Sequence, residues 1–289
     1  MHLKATLDSA IERLTAAGIG SPRMNAEVLL MFTLGCDRAH LYAHAERELS
    51  ADEQARYQAV LEERARGKPA QYITGHQEFW GLDFLVSPAV LIPRPETEHV
   101  SETVLDLARE LERPPRIVDV GTGSGCIALA LAKELPGADI VGLDISAAAL
   151  EIARANAARL QLEQRVTFFE SDLLSTLLPQ LAPTGQLEAA RFDFVVSNPP
   201  YVGEAQPEKV QREVRDFEPR VAIFAGESGM EVYRQLIPQA HAALQPGGWL
   251  VVEIGFSMEA AVRALLDGWQ EVRVTHDLQS IPRVVAARF

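Results

Sequence analysis

The sequence predicts an α/β chain, a Rossmann-like doubly wound sheet of seven strands with mixed directions, preceded by a small all-α region. Three observations carry this. Residues 3–67 show helical spacing and no strand pattern. From Arg116 onward, short apolar runs alternate with amphipathic helices. The first of those runs ends in a glycine-rich turn, Asp119-Val120-Gly121-Thr122-Gly123-Ser124-Gly125.

In the helical region, Leu3, Leu7, Ala10, Ile11 and Leu14 repeat at helical spacing, and Gly18 with Gly20 stops that helix. Ser21-Pro22 reads as an N-cap followed by proline at the first helical position, and Gly35 closes the second helix. Ser50 to Glu53 reads as a capping box opening a third helix that reaches Arg66-Gly67. His40 and His44 could share a helix face. The spacing lacks the adjacent Glu and third ligand of a zinc site, so they read as surface residues.

Residues 71–95 change character. Short alternating runs around Gly81-Leu82-Asp83 predict a β-hairpin, with Phe79 and Trp80 packing between domains. Glu96-Thr97-Glu98 opens a helix to about Leu111, and Leu91 to Glu96 is expected to line one wall of a site. This gives three segments: a helical substrate-recognition domain at 1–74, a hairpin linker at 75–95 and a catalytic domain at 96–289. In the last, strands are expected at about 116–120, 138–144, 166–172, 192–198, 248–255, 271–277 and 284–289. Helices are expected at about 124–134, 146–160, 228–244 and 257–267. No helix separates the last two strands, which suits a terminal strand inserted antiparallel.

Bulk properties narrow the function. The 289 residues carry 27 Lys and Arg against 40 Asp and Glu, a net charge of −13. An enzyme clamping bare duplex DNA needs a basic face, so this balance argues against one. Cys36 and Cys126 form no metal or disulfide pattern, which fits a reducing, cytoplasmic setting. Asp8 and Glu12 interrupt the start of the chain, so no signal peptide is expected. No apolar run approaches membrane-spanning length.

The glycine turn lets a ligand approach backbone at a helix N-terminus. Its spacing alone leaves open a nicotinamide dinucleotide and S-adenosylmethionine, since Gly123-x-Gly125-x-x-Ala128 satisfies a dinucleotide fingerprint. Asp144, closing the second strand, can accept from both ribose hydroxyls of either, its alternative being a helix cap. Asp172 could reach an adenine amine with Leu173 against the ring, while Cys126 reads as a small buried helix residue.

The stretch Ser197-Asn198-Pro199-Pro200-Tyr201 breaks the tie. Prolines stiffen the turn, Asn198 supplies an amide oxygen and Tyr201 a flat face. Acceptors beside an aromatic plane suit a planar –NH2 group at the switch point of the sheet. An Asn-Pro-Pro-Tyr run is the signature of methyltransferases acting on planar nitrogen.

Gly75 to Trp80, Leu91-Ile92-Pro93-Arg94-Pro95-Glu96-Thr97-Glu98, the glycine turn and the Asn-Pro-Pro-Tyr turn occur in one chain, in this order. Together with the helical start, Phe217-Glu218-Pro219 and the terminal Arg283 to Phe289, they closely resemble the bacterial release-factor glutamine methyltransferases (the PrmC/HemK family). The resemblance implies a class I S-adenosylmethionine-dependent methyltransferase fold. It implies N5-methylation of the glutamine in the Gly-Gly-Gln loop of peptide chain release factors. It places the cofactor on Gly121, Thr122, Gly123, Ser124, Gly125 and Asp144, and the glutamine on Asn198, Pro199, Pro200 and Tyr201; Asp172 and Leu173, read from the strand end, and Asn198 are expected beside the cofactor. The family can carry an aromatic residue where Leu173 stands. No metal and no direct nucleic-acid contact are implied, and a monomer is the default. Alternatives are a ribosomal-protein glutamine methyltransferase, a DNA or RNA amino-methyltransferase, and a binding protein that has lost catalysis.

Overall fold

The computed structural model describes residues 2–178, 191–205 and 210–289. The chain divides into two compact units, Met1–His76 with Gln211–Phe217, and Gln77–Val210 with Glu218–Phe289.

The first unit is helical: α1 (Leu3–Ala16), α2 (Pro22–Leu34), α3 (Arg38–Ala43), α4 (Ala51–Ala65) and α5 (Ala70–Thr74). Leu14, Leu29, Leu30, Tyr57 and Leu61 fill its core, and the Tyr57 hydroxyl donates to the Ala26 carbonyl at 2.9 Å. Burying each such side chain stabilises by about 1.5–3 kcal/mol. The capping box forms as the sequence predicts: the Glu53 N–H donates to Ser50 Oγ, and the Ser50 N–H to Glu53 Oε2. The cap at Ser21 does not form. Ser21 takes left-handed backbone, φ +48°, with no side-chain cap bond. Asn25 Nδ2 donates to the carbonyls of Gly20 and Ser21 instead, at 2.9 and 3.2 Å. The short α3 and α5 are additions, too brief to show a helical period. His40 and His44 stack at 4.1 Å, and among the described residues no group of three or more His, Cys, Asp or Glu could hold a metal.

Buried Arg64 organises one edge of this unit. It donates to Asn25 Oδ1 at 2.7 Å, to the Lys68 carbonyl at 3.0 Å and to Glu213 Oε2 at 2.6 Å. Glu213 comes from far along the chain, in the Gln211–Phe217 segment.

The second unit begins at Gln77, inside the hairpin of β1 (His76–Phe79) and β2 (Leu82–Leu85), which is followed by a 3-10 turn (Pro95–Thr97) and α6 (Glu98–Ala108). Then come β3 (Arg116–Val120), α7 (Cys126–Glu134), β4 (Asp139–Asp144), α8 (Ala147–Arg159), β5 (Val166–Glu170) and β6 (Phe192–Ser197). The helix α9 (Arg212–Phe217) belongs to the first unit. The chain ends with α10 (Glu231–Ala243), β7 (Leu244–Glu253), α11 (Glu259–Ala264), β8 (Glu271–His276) and β9 (Pro282–Arg288).

Seven strands form one sheet in the order β5-β4-β3-β6-β7-β9-β8, parallel except for β9, which runs antiparallel to β7 and β8. The alternation along each strand decides what packs where. Ile117, Phe194 and Val251 face the layer of α6, α7 and α8, while Val118, Val195 and Val252 face α10 and α11. Two covered faces explain why β6 is buried along its whole length. Phe79 and Phe84 meet edge to face inside the α6–α8 layer, so the hairpin belongs to the core of the second unit rather than packing between domains. The order reverses between β3 and β6, which places a crevice at their carboxyl ends.

Candidate active site

A cavity of about 440 Å³ opens at those strand ends, within the usual range for small-ligand sites. Gly121, Thr122, Gly123, Ser124, Asp144, Asp172, Leu173, Asn198 and Pro200 line it. Gly125, Pro199 and Tyr201 do not: Pro199 is buried, and Tyr201 packs against the α10 and α11 core. Of the Leu91 to Glu96 run, Leu91, Pro93 and Arg94 reach the wall, and Thr97 joins them.

The glycine turn is held from below by Asp119. This side chain is fully buried, and its Oδ2 accepts from the Thr122 hydroxyl at 2.7 Å and the Ala128 N–H at 3.3 Å. Burial pushes its carboxyl up to about 7, against those two donors. Gly121 and Gly123 have φ of +73° and +57°, which only glycine adopts without strain, and a Cβ on either would meet nothing within 4 Å. Gly125 does a different job. Its φ is +81°, and a Cβ there would stand 3.1 Å from Leu129 and 3.3 Å from Ala153, so it allows α7 to seat on α8.

Asp144 is not a helix cap. Ser146 caps α8, accepting from the Ala149 N–H, while Asp144 accepts from Ser146 N–H at 2.9 Å and Gly123 N–H at 2.8 Å. Burial raises its carboxyl above the ordinary value, opposed by these N–H donors. Each oxygen retains capacity for a further donor. Leu173 has φ +50°, a left-handed conformation costing about 1 kcal/mol or more for a side chain of this kind. Cys126 is buried, and its thiol is pushed up to about 12 by that burial, so it is no nucleophile.

The Asn198 turn follows β6. Asn198 Nδ2 donates to Thr97 Oγ1 at 3.0 Å, and Thr97 Oγ1 donates to Glu253 Oε2 at 2.6 Å. The Tyr201 hydroxyl stands 3.5 Å from the other oxygen of Glu253. Burial first, and then the nearby Glu96, push Glu253 up to about 7. Arg94 is fixed by an ion pair to Glu218, whose other oxygen accepts the Ile92 N–H at 3.1 Å. Arg94, Thr97, Tyr201 and Glu218 stand in runs the sequence singles out, but their pairing across the chain is not recognisable from local pattern. Glu253 leaves a trace only as a lone acid ending the apolar run Leu250-Val251-Val252.

Two family descriptions match: the PrmC N-terminal domain over residues 5–75, and the methyltransferase small domain over residues 101–215. A release factor glutamine methyltransferase from Koribacter versatilis is 55% identical over 289 residues, covering 100% of this chain and 99% of the relative. The chain belongs to the release factor glutamine methyltransferase family. The family member from Geobacter sulfurreducens is 40% identical, covering 99% of this chain and 96% of its own. The class I methyltransferase fold of the family extends to distant proteins. The hMettl16 catalytic domain, solved with a MAT2A 3'UTR hairpin, aligns with a TM-score of 0.55 at 18% identity, over 86% of this chain and 84% of that one. Among the described residues, no helix is long and apolar enough to cross a membrane.

Proposed function

We propose that this enzyme transfers a methyl group from S-adenosylmethionine to the side-chain nitrogen of the glutamine in the Gly-Gly-Gln loop of peptide chain release factors. The observation that carries the reading is the placement of Asn198 on the wall of the same cavity as the glycine turn and Asp144. Acceptor for a planar amine and acceptor for ribose hydroxyls thus share one space.

The residues present fit the cofactor. Backbone at Gly121 and Gly123 is unobstructed by any neighbour within 4 Å of a Cβ position. Asp144 has acceptor capacity left for hydroxyls, and Ile145, Ala149 and Leu173 supply apolar wall for an adenine ring. The cofactor, when bound, supplies a methyl on a cationic sulfur. An amide nitrogen is a poor nucleophile because its lone pair is delocalised into the carbonyl. Asn198 Oδ1, on the cavity wall, accepts from one of its N–H bonds and favours the nitrogen as positive charge develops. Tyr201 lies behind the turn, packed on the α10 and α11 core with its hydroxyl 3.5 Å from Glu253, and steadies the turn rather than lining the cavity. Positioning of this kind can supply about 7–11 kcal/mol in the best cases. The electrophile would already be a cation, so no side chain need act as a base before transfer; the nitrogen would gain the methyl as the methyl–sulfur bond breaks, and would then give up one proton to solvent. The first, helical unit is assigned the recognition of the factor.

Methyl transfer from labelled S-adenosylmethionine to a purified release factor tests this, beside its Gly-Gly-Gln→Gly-Gly-Ala variant, ribosomal proteins and DNA. Label on the wild-type factor alone is the expected result; label on ribosomal protein or DNA instead overturns the partner. Asp144→Ala should weaken cofactor binding by about 1.5–3 kcal/mol, the cost of losing charged hydrogen bonds. Calorimetry with S-adenosylhomocysteine reads this, and an unchanged affinity would return Asp144 to a purely structural role on the Gly123 and Ser146 amides.

A further inference from the structure

We propose that Thr97 and Glu253 are positioning residues that fix which end of the Asn198 carboxamide faces the cavity. This rests on the functional reading above, and goes beyond it to groups that need not touch either substrate.

A carboxamide has a nitrogen end and an oxygen end of nearly equal size, so only the polarity of its neighbours decides its orientation. Thr97 and Glu253 are 2% and 4% exposed, so water does not set that polarity. The Thr97 hydroxyl has one proton, and at 2.6 Å it is given to Glu253 Oε2. Its oxygen can then only accept. The partner it meets at 3.0 Å is Asn198 Nδ2. Turning the carboxamide over would set two acceptor oxygens against each other with no proton between them. The nitrogen end is therefore tied to Thr97, and Oδ1 is left for an incoming N–H. An Asn198 facing the other way would present donors to a substrate nitrogen that itself carries only donors.

Glu253 commands this polarity because, when ionised, it is acceptor-only. Around it stand Glu96 and Thr97 from the 3-10 turn, Tyr201 from the turn after β6, Arg283 on β9 and Cys126 on α7. The Tyr233 hydroxyl on α10 is given to its main-chain oxygen at 2.7 Å. Burial holds the tyrosine hydroxyls and the thiol protonated, and Arg283 stays charged. Glu253 itself changes state near neutrality. Its carboxyl, raised to about 7, is ionised above that pH and gains a proton below it. The protonated form can donate to Thr97, which frees the Thr97 proton to turn toward Asn198 and permits either orientation.

The test compares wild type, Thr97→Val, Thr97→Ser and Glu253→Gln, with kcat followed across pH. Thr97→Val should lower kcat by about tenfold or more, with the KM for the factor and the affinity for S-adenosylhomocysteine within about twofold. Thr97→Ser should restore most of the loss. Glu253→Gln, which can donate or accept, should hold kcat at the level wild type reaches in acid, and the wild-type rise of kcat through about pH 7 should be absent from it. Wild-type kcat in Thr97→Val, or equal losses in the valine and serine variants, overturns the proposal. So does a Glu253→Gln enzyme with the wild-type profile. Side-chain amide NMR of Asn198 gives a readout free of turnover: a protected Nδ2 proton in wild type and Thr97→Ser, lost in Thr97→Val. A wild type that places no label on the factor sinks the functional reading, while the NMR comparison still decides the relay.

Discussion

Replacing Asn198 by alanine is expected to lower kcat by roughly a hundredfold or more while leaving most of the cofactor affinity in place. In the proposed mechanism the carboxamide oxygen is the acceptor for the nitrogen on which positive charge develops, so its loss should be felt in the transition state more than in the ground state. A hundredfold corresponds to about 2.7 kcal/mol, the lower range for one preorganised polar group in a catalytic site. The substitution also leaves the Thr97 hydroxyl, 2.6 Å from Glu253, without its Asn198 donor, so some destabilisation accompanies it. A denaturation midpoint separates that from catalysis. Near-normal turnover in a folded Asn198→Ala protein would sink the mechanism.

Gly229→Ala is the second large effect. Gly229 has φ +81°, and a Cβ there would lie 2.4 Å from the Tyr201 carbonyl oxygen and 3.1 Å from the Gly203 nitrogen. These are main-chain atoms and cannot swing aside. Either the segment carrying Tyr201 shifts or the start of α10 does. Left-handed strain and overpacking together should cost about 2–4 kcal/mol, and the displaced turn should lower kcat as well. Gly18→Ala is the control: φ is +72°, but nothing lies within 4 Å, so it should show only the conformational cost, about 1 kcal/mol. Equal destabilisation in the two variants, by chemical denaturation, would show that the contact with Tyr201 is not the cause.

What the sequence disclosed follows from how far apart the cooperating residues lie. The glycine turn, Asp144 and the Asn198 turn are each local in sequence and sit at the ends of strongly apolar strands, so their common place at one end of the sheet could be read. The inner strands were legible for the same reason, since a sheet covered on both faces demands unbroken apolar runs, whereas the edge strands β5 and β8 show only alternation. The support of Asn198 was not. Its partners are 101 residues away at Thr97, and Thr97 meets Glu253 another 156 residues on. Only the folded sheet brings a 3-10 turn and the end of β7 to the same place. Ser21 illustrates the opposite failure. Its local pattern predicts a cap, but Asn25, held at its other end by Arg64, supplies hydrogen bonds to the preceding carbonyls.

The return of α9 to the helical unit bears on how this family can be taken apart and recombined. A contiguous cassette ending at His76 would carry Arg64, buried to 4% exposure, without the carboxylate of Glu213 that lies 149 positions further along. A buried guanidinium deprived of its anion is costly. The helical unit is thus modular in space but not in genetic order. Exchanging it between relatives requires three crossovers, one near residue 76 and a pair flanking Gln211–Phe217. A chimaera built with the first junction alone would set Arg64 against whatever residue the other parent supplies in place of Glu213, so its stability has to be measured before a change in activity is assigned to recognition.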